Sequence, residues 1–401
     1  MSIEVPTTLC ATVTGEAVAK PFRAAIIATT STSSPRPKLV GLLANSNAPS
    51  RAYAEWTAKA CQAVGINYEL REVGAIKKGQ DHAVAEQGEV EEAILEANAD
   101  DEVHGIMVYY PIFGPRQDGY LQQAVSPLKD VEGLNFTCPH LHYIRLFSLY
   151  HNTRFIDPRK IALAAQVVSP PAASTSGSGP AEPELVKAIL PCTPLAIVKT
   201  LEHCQVYNPV LPYGSRAFGK TITVINRSEV VGRPLAALLA NDGARVFSVD
   251  LDGIQEFTRR RTSAPAAEGE KPRPSFQPRH FVQSTPLKLE DCLAISDVVV
   301  SGVPSAAYKI STDALKEGVI AVNFSESKNF ETNIKEKVRP ATQLRILLSC
   351  RALMHNPQNF IAKASIYCPG IGKATIVLLQ RNLLRLREYQ DILKGIASSS
   401  E

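Results

Sequence analysis

Short apolar runs alternate with amphipathic stretches in the first third of the chain, and this alternation constrains the fold more than any other feature. Lys38–Asn45, Asn67–Val73 and Val103–Ile112 are predicted strands. The stretches between them, Ser50–Ile66 and Val90–Asp100, carry a helical pattern. Strands that alternate with helices are typical of an α/β fold with a parallel sheet.

The second half of the chain repeats this organisation. The pattern predicts a helix within Ile189–Val206, and a strand, a loop, a helix and a second strand over Lys220–Asp250. Two more buried strands are predicted at Ile295–Val303 and Gly318–Phe324, and a closing helix at Ala374–Leu393. The sequence therefore indicates a second α/β region.

Length and charge narrow the class of protein. A chain of 401 residues suggests two or three domains. A net charge of +4, from 43 basic and 39 acidic residues, gives no sign of nucleic-acid or membrane-surface binding. No apolar stretch is long enough for a membrane span, and the N-terminus lacks a secretory or transit pattern. The eight cysteines form no C-x-x-C pair, so reduced thiols and a cytoplasmic location are expected.

Three segments break the pattern. Residues 166–185 include a Pro/Ser/Gly-rich run, and residues about 258–286 are polar and rich in Pro and Arg; both are predicted to be exposed insertions with little order. Residues 338–363 are basic, contain no acidic residue and have no clear period. Their first residue, valine, and last residue, lysine, permit codons that begin with GT and end in AG, which is compatible with a retained intron; a genuine loop is the alternative.

A nucleotide-binding turn is predicted between the strand that begins near Lys220 and the helix that follows. The loop Asn226–Pro234 lacks G-x-G-x-x-G and keeps only Gly232 for close packing. Asp250 ends the next strand about twenty residues later, where a carboxylate binds the adenosine ribose of NAD and repels the extra phosphate of NADP. The alternatives are a purely structural turn and an aspartate that caps the strand end.

Five segments occur in an order that identifies a family. They are VHGIMVYYP, KDVEGLN (Lys129–Asn135), LPCTP (Leu190–Pro194), NRSEVVGRPLAALL (Asn226–Leu239) and PGIGKAT (Pro369–Thr375). The chain resembles the methylenetetrahydrofolate dehydrogenase/cyclohydrolase family, and within it the fungal monofunctional NAD-dependent branch. The resemblance covers nearly the whole chain apart from the insertions.

The resemblance implies two α/β domains flanking a cleft, the second a Rossmann-like nucleotide-binding domain, and a homodimer. It implies a folate-binding catalytic domain over residues 1–165, completed by a C-terminal helix over 373–396. After the insertion 166–185, the NAD-binding domain would cover 186–365 and contain the insertions at about 258–286 and 338–363.

The resemblance also implies the site residues. The catalytic candidates are Tyr53, Glu132 and Cys192. The substrate-binding candidates are Tyr53, Thr57, Tyr109, Pro111, Glu132, Pro369 and Gly370. From the residues alone, Tyr53 could be a core tyrosine, Glu132 a turn cap, and Cys192 either a helix N-terminal thiol of lowered pKa or a small buried residue.

The resemblance also predicts cofactor-binding residues within the nucleotide-binding segments. NAD is the only cofactor expected, and no metal is expected. The predicted residues are Arg227, Ser228, Asp250, Leu251, Gly302, Val303 and Pro304. Arg227 and Ser228 would face the cofactor phosphates or ribose, and the Gly302 loop would lie over the nicotinamide-side ribose. A surface arginine and an ordinary strand-end turn are the plain alternatives.

The predicted reaction is the NAD-dependent oxidation of methylenetetrahydrofolate without cyclohydrolase activity. Bifunctional relatives carry Tyr-x-x-x-Lys, whereas the fourth residue after Tyr53 is Thr57; Lys59 lies about 200° further round the helix. The family's glutamine is replaced by Tyr109. A bifunctional enzyme that uses Lys59 and a non-catalytic dinucleotide-binding protein are the competing hypotheses.

Overall fold

The computed structural model describes residues 10–74, 76, 85–135, 155–156, 186–259, 280–337 and 366–395. Its strands are β1 (Ala11–Thr12), β2 (Lys38–Leu43), β3 (Asn67–Glu72), β4 (Gly105–Val108), β5 (Phe155–Ile156), β6 (Val186–Lys187), β7 (Thr221–Ile225), β8 (Arg245–Asp250), β9 (Gly253–Arg259), β10 (His280–Ser284), β11 (Val298–Ser301), β12 (Ile320–Asn323) and β13 (Ile366–Cys368). Its α-helices are α1 (Gly15–Thr32), α2 (Ala48–Ala63), α3 (Gln87–Ala99), α4 (Pro115–Ala124), α5 (Cys192–His203), α6 (Gly232–Asn241), α7 (Leu289–Ile295), α8 (Ile334–Lys337) and α9 (Gly372–Leu393).

The chain divides into two α/β units, as the fold prediction required. The three-stranded unit consists of Lys20–Ser148, Thr153–Cys192 and Ile376–Glu401. The eight-stranded unit consists of Met1–Ala19, Leu149–Asn152 and Thr193–Thr375. Each unit is named here after its main sheet.

The three-stranded unit has a parallel sheet in the order β3-β2-β4. Strand β2 is apolar after Lys38 and buried along that length, which is expected for a central parallel strand covered on both faces. Helices α3 and α4 pack on the sheet through an apolar cluster that includes Val40, Ile94 and Leu121. The carboxyl ends of β2 and β4 therefore lie side by side, and the predicted folate residues Tyr109 and Pro111 follow β4 directly.

Helix α2 shows how the local sequence sets an element that carries site residues. Asn47 is its N-cap and accepts a hydrogen bond from the Ser50 amide through its side chain. The helix ends at Ala63, two residues before Gly65, which has a φ of +74°. A glycine in this left-handed conformation is a common helix terminator, so the predicted end near Gly65 is confirmed.

The eight-stranded unit has the order β1-β13-β12-β11-β7-β8-β9-β10. Neighbouring strands from β1 to β8 in this order pair in parallel, and β9 and β10 add an antiparallel hairpin at one edge. The succession β7–α6–β8 matches the strand, loop, helix and strand predicted over Lys220–Asp250. This is the arrangement of a mononucleotide-binding half of a Rossmann-like sheet.

The division between the units differs from the predicted boundaries at both chain ends. Strand β1 pairs in parallel with β13, so residues up to Ala19 lie with the eight-stranded unit rather than with the predicted folate-binding domain 1–165. Helix α9 begins at Gly372, but only the part from Ile376 onward belongs to the three-stranded unit. Two residues are too few for sequence periodicity to reveal β1 as a strand.

The predicted insertion at 258–286 needs correction. Its edges are strands: Arg259 at the end of β9 pairs with His280 at the start of β10. His280 is buried and its ring stacks on Phe257 at a centroid distance of 5.6 Å. The polar composition concealed a hairpin, and only residues 260–279 lie outside the described ones. The other two predicted insertions, 166–185 and 338–363, lie wholly outside them.

Candidate active site

The loop Asp130–Asn135 is built by residues of the KDVEGLN segment. Asp130 accepts hydrogen bonds from the amides of Glu132, Gly133 and Asn135 at 3.1, 2.9 and 2.6 Å. Lys129 donates from Nζ to the carbonyl oxygens of Ala97, Asn98 and Asp100, where helix α3 ends. These charged side chains hold in place the loop that carries Glu132.

Glu132 lies in surroundings that favour its neutral form. Its carboxyl accepts a hydrogen bond from the Val108 amide at 3.3 Å. Burial and the nearby Asp130 carboxylate raise its pKa to about 8, against the smaller opposing effect of that hydrogen bond. Near neutral pH the Glu132 carboxyl is therefore largely protonated and can act as a hydrogen-bond donor.

Tyr53 and Tyr109 lie beside Glu132. Their rings meet edge to face at a centroid distance of 5.9 Å. Burial raises the pKa of Tyr53 well above its usual value, and the nearby Cys192, Glu132 and Tyr109 groups add to the shift. The structure thus brings the three predicted catalytic residues together, with Tyr109, in the three-stranded unit.

Thr57 and Tyr109, the two residues predicted to replace the hydrolytic pair of bifunctional relatives, carry buried hydroxyls. Thr57 is fully buried and donates from Oγ1 to the Tyr53 carbonyl oxygen at 2.8 Å. Tyr109 is 2% exposed, and burial raises the pKa of its hydroxyl to about 12, against opposing hydrogen bonds from Tyr68 and Thr57. Lys59 is exposed and does not share the buried face of Thr57, which agrees with the direction predicted for it.

The other predicted folate residues are placed as follows. Cys192 is buried at the start of α5, and its amide donates to the Glu132 carbonyl oxygen at 3.1 Å. Pro111 is exposed, and its carbonyl oxygen accepts from the Asn45 side chain at 2.8 Å. Pro369 and Gly370 belong to the eight-stranded unit, where Lys328 donates to the Pro369 carbonyl oxygen.

The nucleotide-binding turn needs its glycine because the backbone closes tightly on itself. A Cβ atom at Gly232 would lie 1.8 Å from the Asn226 carbonyl oxygen. Ser228 accepts from the amides of Val231 and Gly232 at 3.3 and 3.4 Å. The glycine predicted for close packing thus packs against its own loop, and the Ser228 hydroxyl helps to fix the start of α6.

The Arg227 side chain is held by contacts within the protein. Its guanidinium is buried, pairs with Asp252 at 2.9 Å, and donates to the carbonyl oxygens of Ser248 and Gly253. The side chain expected to face cofactor phosphate is therefore committed to protein partners in the turn after β8. The alternative of a surface arginine is therefore wrong, and the predicted contact of Arg227 with the cofactor stays a prediction.

Asp250 ends β8 as predicted, with its carboxylate held in place. Oδ2 accepts from the Arg227 amide at 2.6 Å, and Oδ1 accepts from the Leu251 amide at 2.7 Å. Each oxygen retains acceptor capacity for a further donor. Leu251 beside it is fully exposed. Such a fixed carboxylate fits the hydroxyl donors of a ribose.

The Gly302–Pro304 loop is held by two asparagines, of which sequence analysis singled out only Asn226. Asn329 is fully buried; its Oδ1 accepts from the Val303 amide at 2.9 Å and its Nδ2 donates to the Val303 carbonyl oxygen at 2.9 Å. Asn226 donates to the Gly302 carbonyl oxygen at 2.8 Å and so joins the β7 loop to the β11 loop. No motif marks Asn329, since its role arises from tertiary contact.

Two other kinds of feature are absent from the part of the chain that the structure describes. There, no three His, Cys, Asp or Glu side chains are grouped so that they could hold a metal ion. In the same ranges, no helix combines the length and apolarity that crossing a membrane requires.

The fold and these residues define an α/β enzyme with a nucleotide-binding unit, and comparison with known proteins agrees. Residues 13–132 match the family model described as tetrahydrofolate dehydrogenase/cyclohydrolase, catalytic domain. The methylenetetrahydrofolate dehydrogenase [NAD(+)] of Schizosaccharomyces pombe is 44% identical, over 88% of this chain and 86% of that protein. The protein of the same name from Saccharomyces cerevisiae is 41% identical, over 89% and 88%.

Solved structures give the same result. The NAD-dependent 5,10-methylenetetrahydrofolate dehydrogenase of Saccharomyces cerevisiae superposes with a TM-score of 0.73 and 38% identity, covering 96% of this chain and 100% of that one. A Trypanosoma brucei dehydrogenase-cyclohydrolase shares the fold at a TM-score of 0.60 and 18% identity, covering 97% and 100%. The chain belongs to the tetrahydrofolate dehydrogenase/cyclohydrolase family, and the resemblance predicted from the five segments is confirmed.

Proposed function

We propose that this chain oxidises 5,10-methylenetetrahydrofolate to 5,10-methenyltetrahydrofolate with NAD and does not hydrolyse the product. The observation that carries the proposal is the pair Thr57 and Tyr109. They stand where bifunctional members of the family supply a lysine and a glutamine, and both are buried. The relatives named as NAD-dependent dehydrogenases support the same activity.

The oxidation requires little acid–base catalysis from the protein. The reacting carbon of the folate lies between two nitrogens, whose lone pairs delocalise the positive charge when hydride leaves. No proton is removed, so the main tasks are to hold the substrate and to exclude water. NAD, when bound, supplies the hydride acceptor.

The residues of the three-stranded unit suit these tasks. A protonated Glu132 can donate a hydrogen bond to the pterin ring while carrying no charge, since its pKa is raised to about 8. The tyrosine rings of Tyr53 and Tyr109 supply apolar surface beside it. Cys192 is joined to the backbone of Glu132 by its amide hydrogen bond and can contact the substrate.

Hydrolysis would require an activated water and a group that moves protons. The Tyr109 hydroxyl has a pKa of about 12 and is therefore neutral, with little capacity as a base, near neutral pH. Thr57 does not titrate in the working range, and the exposed Lys59 lies away from the buried face. These residues disfavour the bifunctional alternative.

We assign the preference for NAD over NADP to Asp250. Its fixed carboxylate can accept hydrogen bonds from the adenosine ribose, and it repels a phosphate at the 2′ position. Ser228, Leu251 and the loop Gly302–Pro304 complete the set that would hold the cofactor. The tight turn at Gly232 brings backbone amides close to the start of α6, which fits a pyrophosphate.

The test is one assay with the purified protein. Methylenetetrahydrofolate is supplied with NAD or with NADP, and reduced cofactor and methenyl product are followed together by absorbance. We expect turnover with NAD and a methenyl product that decays only at its spontaneous rate. Enzyme-dependent decay would contradict the monofunctional assignment, and NAD binding without turnover would favour a non-catalytic binding protein.

We further propose, from the family resemblance, a cytoplasmic homodimer that serves one-carbon metabolism and purine synthesis. Closed two-fold assemblies are the commonest oligomers of enzymes of this size. Light scattering coupled to size exclusion should give twice the chain mass of 43.5 kDa. A mass of one chain across the working concentration range would exclude the dimer.

A further inference from the structure

Helix α9 places one polar side chain against both loops that carry the candidate catalytic groups. Asn382 is fully buried in the middle of this helix. Its Nδ2 donates to the Val131 carbonyl oxygen at 2.9 Å and to the Leu190 carbonyl oxygen at 3.1 Å. A single amide group therefore joins two chain segments that are far apart in sequence.

The two acceptors stand next to site residues. Val131 immediately precedes Glu132, and Leu190 lies two residues before Cys192. The loops also touch directly, because the Cys192 amide donates to the Glu132 carbonyl oxygen at 3.1 Å. The backbone positions of Glu132 and Cys192 relative to each other thus depend on this junction.

A glycine completes the junction. Gly133 has a φ of +71°, and a Cβ atom there would lie 2.9 Å from the Leu190 carbonyl carbon and from the Pro191 nitrogen. No larger residue allows the two backbones to approach so closely. Asn382 and Gly133 therefore act on the same contact from two sides.

Packing of α9 does not account for an asparagine at this position. Its neighbours on the helix, Leu379, Leu383 and Leu386, are buried and apolar. The Asn382 Oδ1 atom is buried and has no hydrogen-bond partner among the described residues. An unpaired buried acceptor is unfavourable, and a leucine, whose side chain branches in the same way, would bury no unpaired acceptor. What the asparagine adds is its pair of donors to the two loops.

We propose that Asn382 is a positioning residue that fixes Glu132 relative to Cys192 for the reaction. The inference rests on the proposed function. Displacements of about 1 Å in a catalytic arrangement can lower rates by roughly a hundredfold. Loss of the two donors should therefore lower kcat and raise the KM for the folate, while the KM for NAD stays unchanged.

Helix α9 also provides a matched control. Gln390 lies further along α9 and is almost as buried, and its Nε2 donates to the carbonyl oxygens of His104 and Leu128 at 3.0 and 2.8 Å. It makes the same kind of double bond from helix to backbone, but neither acceptor adjoins a candidate catalytic residue: Leu128 lies four residues before Glu132 and His104 five residues before Tyr109. Asn382→Leu and Gln390→Leu therefore remove equivalent interactions.

The experiment compares these two variants with the unsubstituted enzyme by thermal unfolding, by kcat and KM for each substrate, and by the pH profile of kcat/KM. We expect both variants to lose stability, but only Asn382→Leu to lose about tenfold or more in kcat/KM for the folate. Its pH profile should also shift, because the surroundings of Glu132 change. Equal kinetic effects of the two variants, or an unchanged profile in Asn382→Leu, would overturn the inference.

A second variant covers the case in which Asn382→Leu does not fold. Gly133→Ala forces the two loops apart without touching α9, and it should give the same pattern of altered folate kinetics with an unchanged KM for NAD. Normal folate kinetics in Gly133→Ala would also overturn the inference. An unsubstituted protein without any turnover would instead refute the proposed function, and this inference with it.

Discussion

The hydroxyl oxygen of Tyr68 lies 2.7 Å from that of Tyr109. Tyr68 comes from β3 and Tyr109 follows β4, so the bond crosses β2 between them. It can do so because the strand carries a glycine there: a Cβ at Gly41 would lie 2.3 Å from the Tyr68 hydroxyl. The hydroxyl of Tyr109, which is predicted to replace the family's glutamine, is thus held by a residue outside the five family segments.

Replacing Tyr68 with phenylalanine should leave the Tyr109 hydroxyl with one buried partner fewer. We expect a loss of about 1–2 kcal/mol in the free energy of unfolding, since a buried hydroxyl loses its bond. The KM for the folate should rise a few-fold, with no gain of hydrolysis. Denaturant unfolding and the coupled assay measure both effects.

Tyr120→Phe is the control for that substitution. Tyr120 also makes a tyrosine hydrogen bond, to Glu91 at 2.6 Å, but it is half exposed. It should change neither stability nor KM by a measurable amount. If Tyr68→Phe behaves in the same way, the buried hydroxyl pair does not organise the site.

Glu132 should make both stability and activity depend on pH. Its pKa is raised from the model-compound value of 4.5 to about 8, so between these values the folded chain binds a proton that the unfolded chain releases. Stability from this group is therefore greatest below about pH 4.5, falls as pH rises, and stays low above about pH 8. The total change is at most on the order of a few kcal/mol.

Glu132→Gln should remove this dependence. Unfolding by denaturant at pH 5.5, 7 and 9, compared between the two proteins, measures the difference that belongs to Glu132. The variant should gain relative stability at the highest pH, and its kcat/KM should no longer decline near pH 8. A constant stability difference across the three values would show that the carboxyl does not titrate in this range.

The elements with a strong apolar pattern were predictable, because they depend on local periodicity. Strands β7 and β8 and the helix between them follow from the pattern of apolar residues. The roles of Arg227 and Asn329 were not predictable. Arg227 folds back onto a turn that lies 25 residues further along, and its bond to Asp252 depends on the tertiary fold.

Helix α1 and the β9–β10 hairpin were missed for a related reason. Thr30 and its neighbouring threonines and serines weaken the helical pattern of α1, yet Thr30 donates to the Val64 carbonyl oxygen at 2.6 Å and is satisfied in the fold. His280 in the hairpin is polar, but its bond with Asn241 and its stacking on Phe257 bury it. Polar residues that gain partners only after folding give no signal in sequence.

Asp250→Ser should narrow the preference for NAD. The variant removes the charge that repels a 2′-phosphate and the acceptors for the Arg227 and Leu251 amides. We expect the ratio of kcat/KM values, NAD over NADP, to fall about tenfold or more, which corresponds to about 1.4 kcal/mol. Steady-state kinetics with each cofactor give the ratio.

Asp252→Asn is the matched change for this prediction. Asp252 lies two residues after Asp250, and its side chain is 71% exposed. Its carboxylate pairs with the Arg227 guanidinium. Removing that charge should alter stability slightly and leave the cofactor ratio within about twofold. Equal catalytic efficiency with both cofactors in the unsubstituted protein would contradict the role given to Asp250.

Deleting residues 338–363 should preserve the dehydrogenase, because the described residues on either side of the segment lie close together. Ile334 and Tyr367 belong to one apolar cluster, and Lys335 and Tyr367 both act on the Cys10 thiol, lowering its pKa against the larger effect of burial. Ala364 and Ser365 would then join Lys337 to Ile366, a span of roughly 10 Å at full extension. We expect the deletion variant to keep or improve stability and folate affinity. A second variant, in which a Gly–Ser linker of equal length replaces the segment, separates the effect of the sequence from that of its length. Loss of the fold in the deletion variant would show that the segment is a genuine part of the eight-stranded unit.

Peptide mass spectrometry of the native protein, after cleavage at glutamate, shows which form the cell makes. A peptide with Lys337 joined directly to Ala364 supports splicing, and abundant peptides from within the segment refute it.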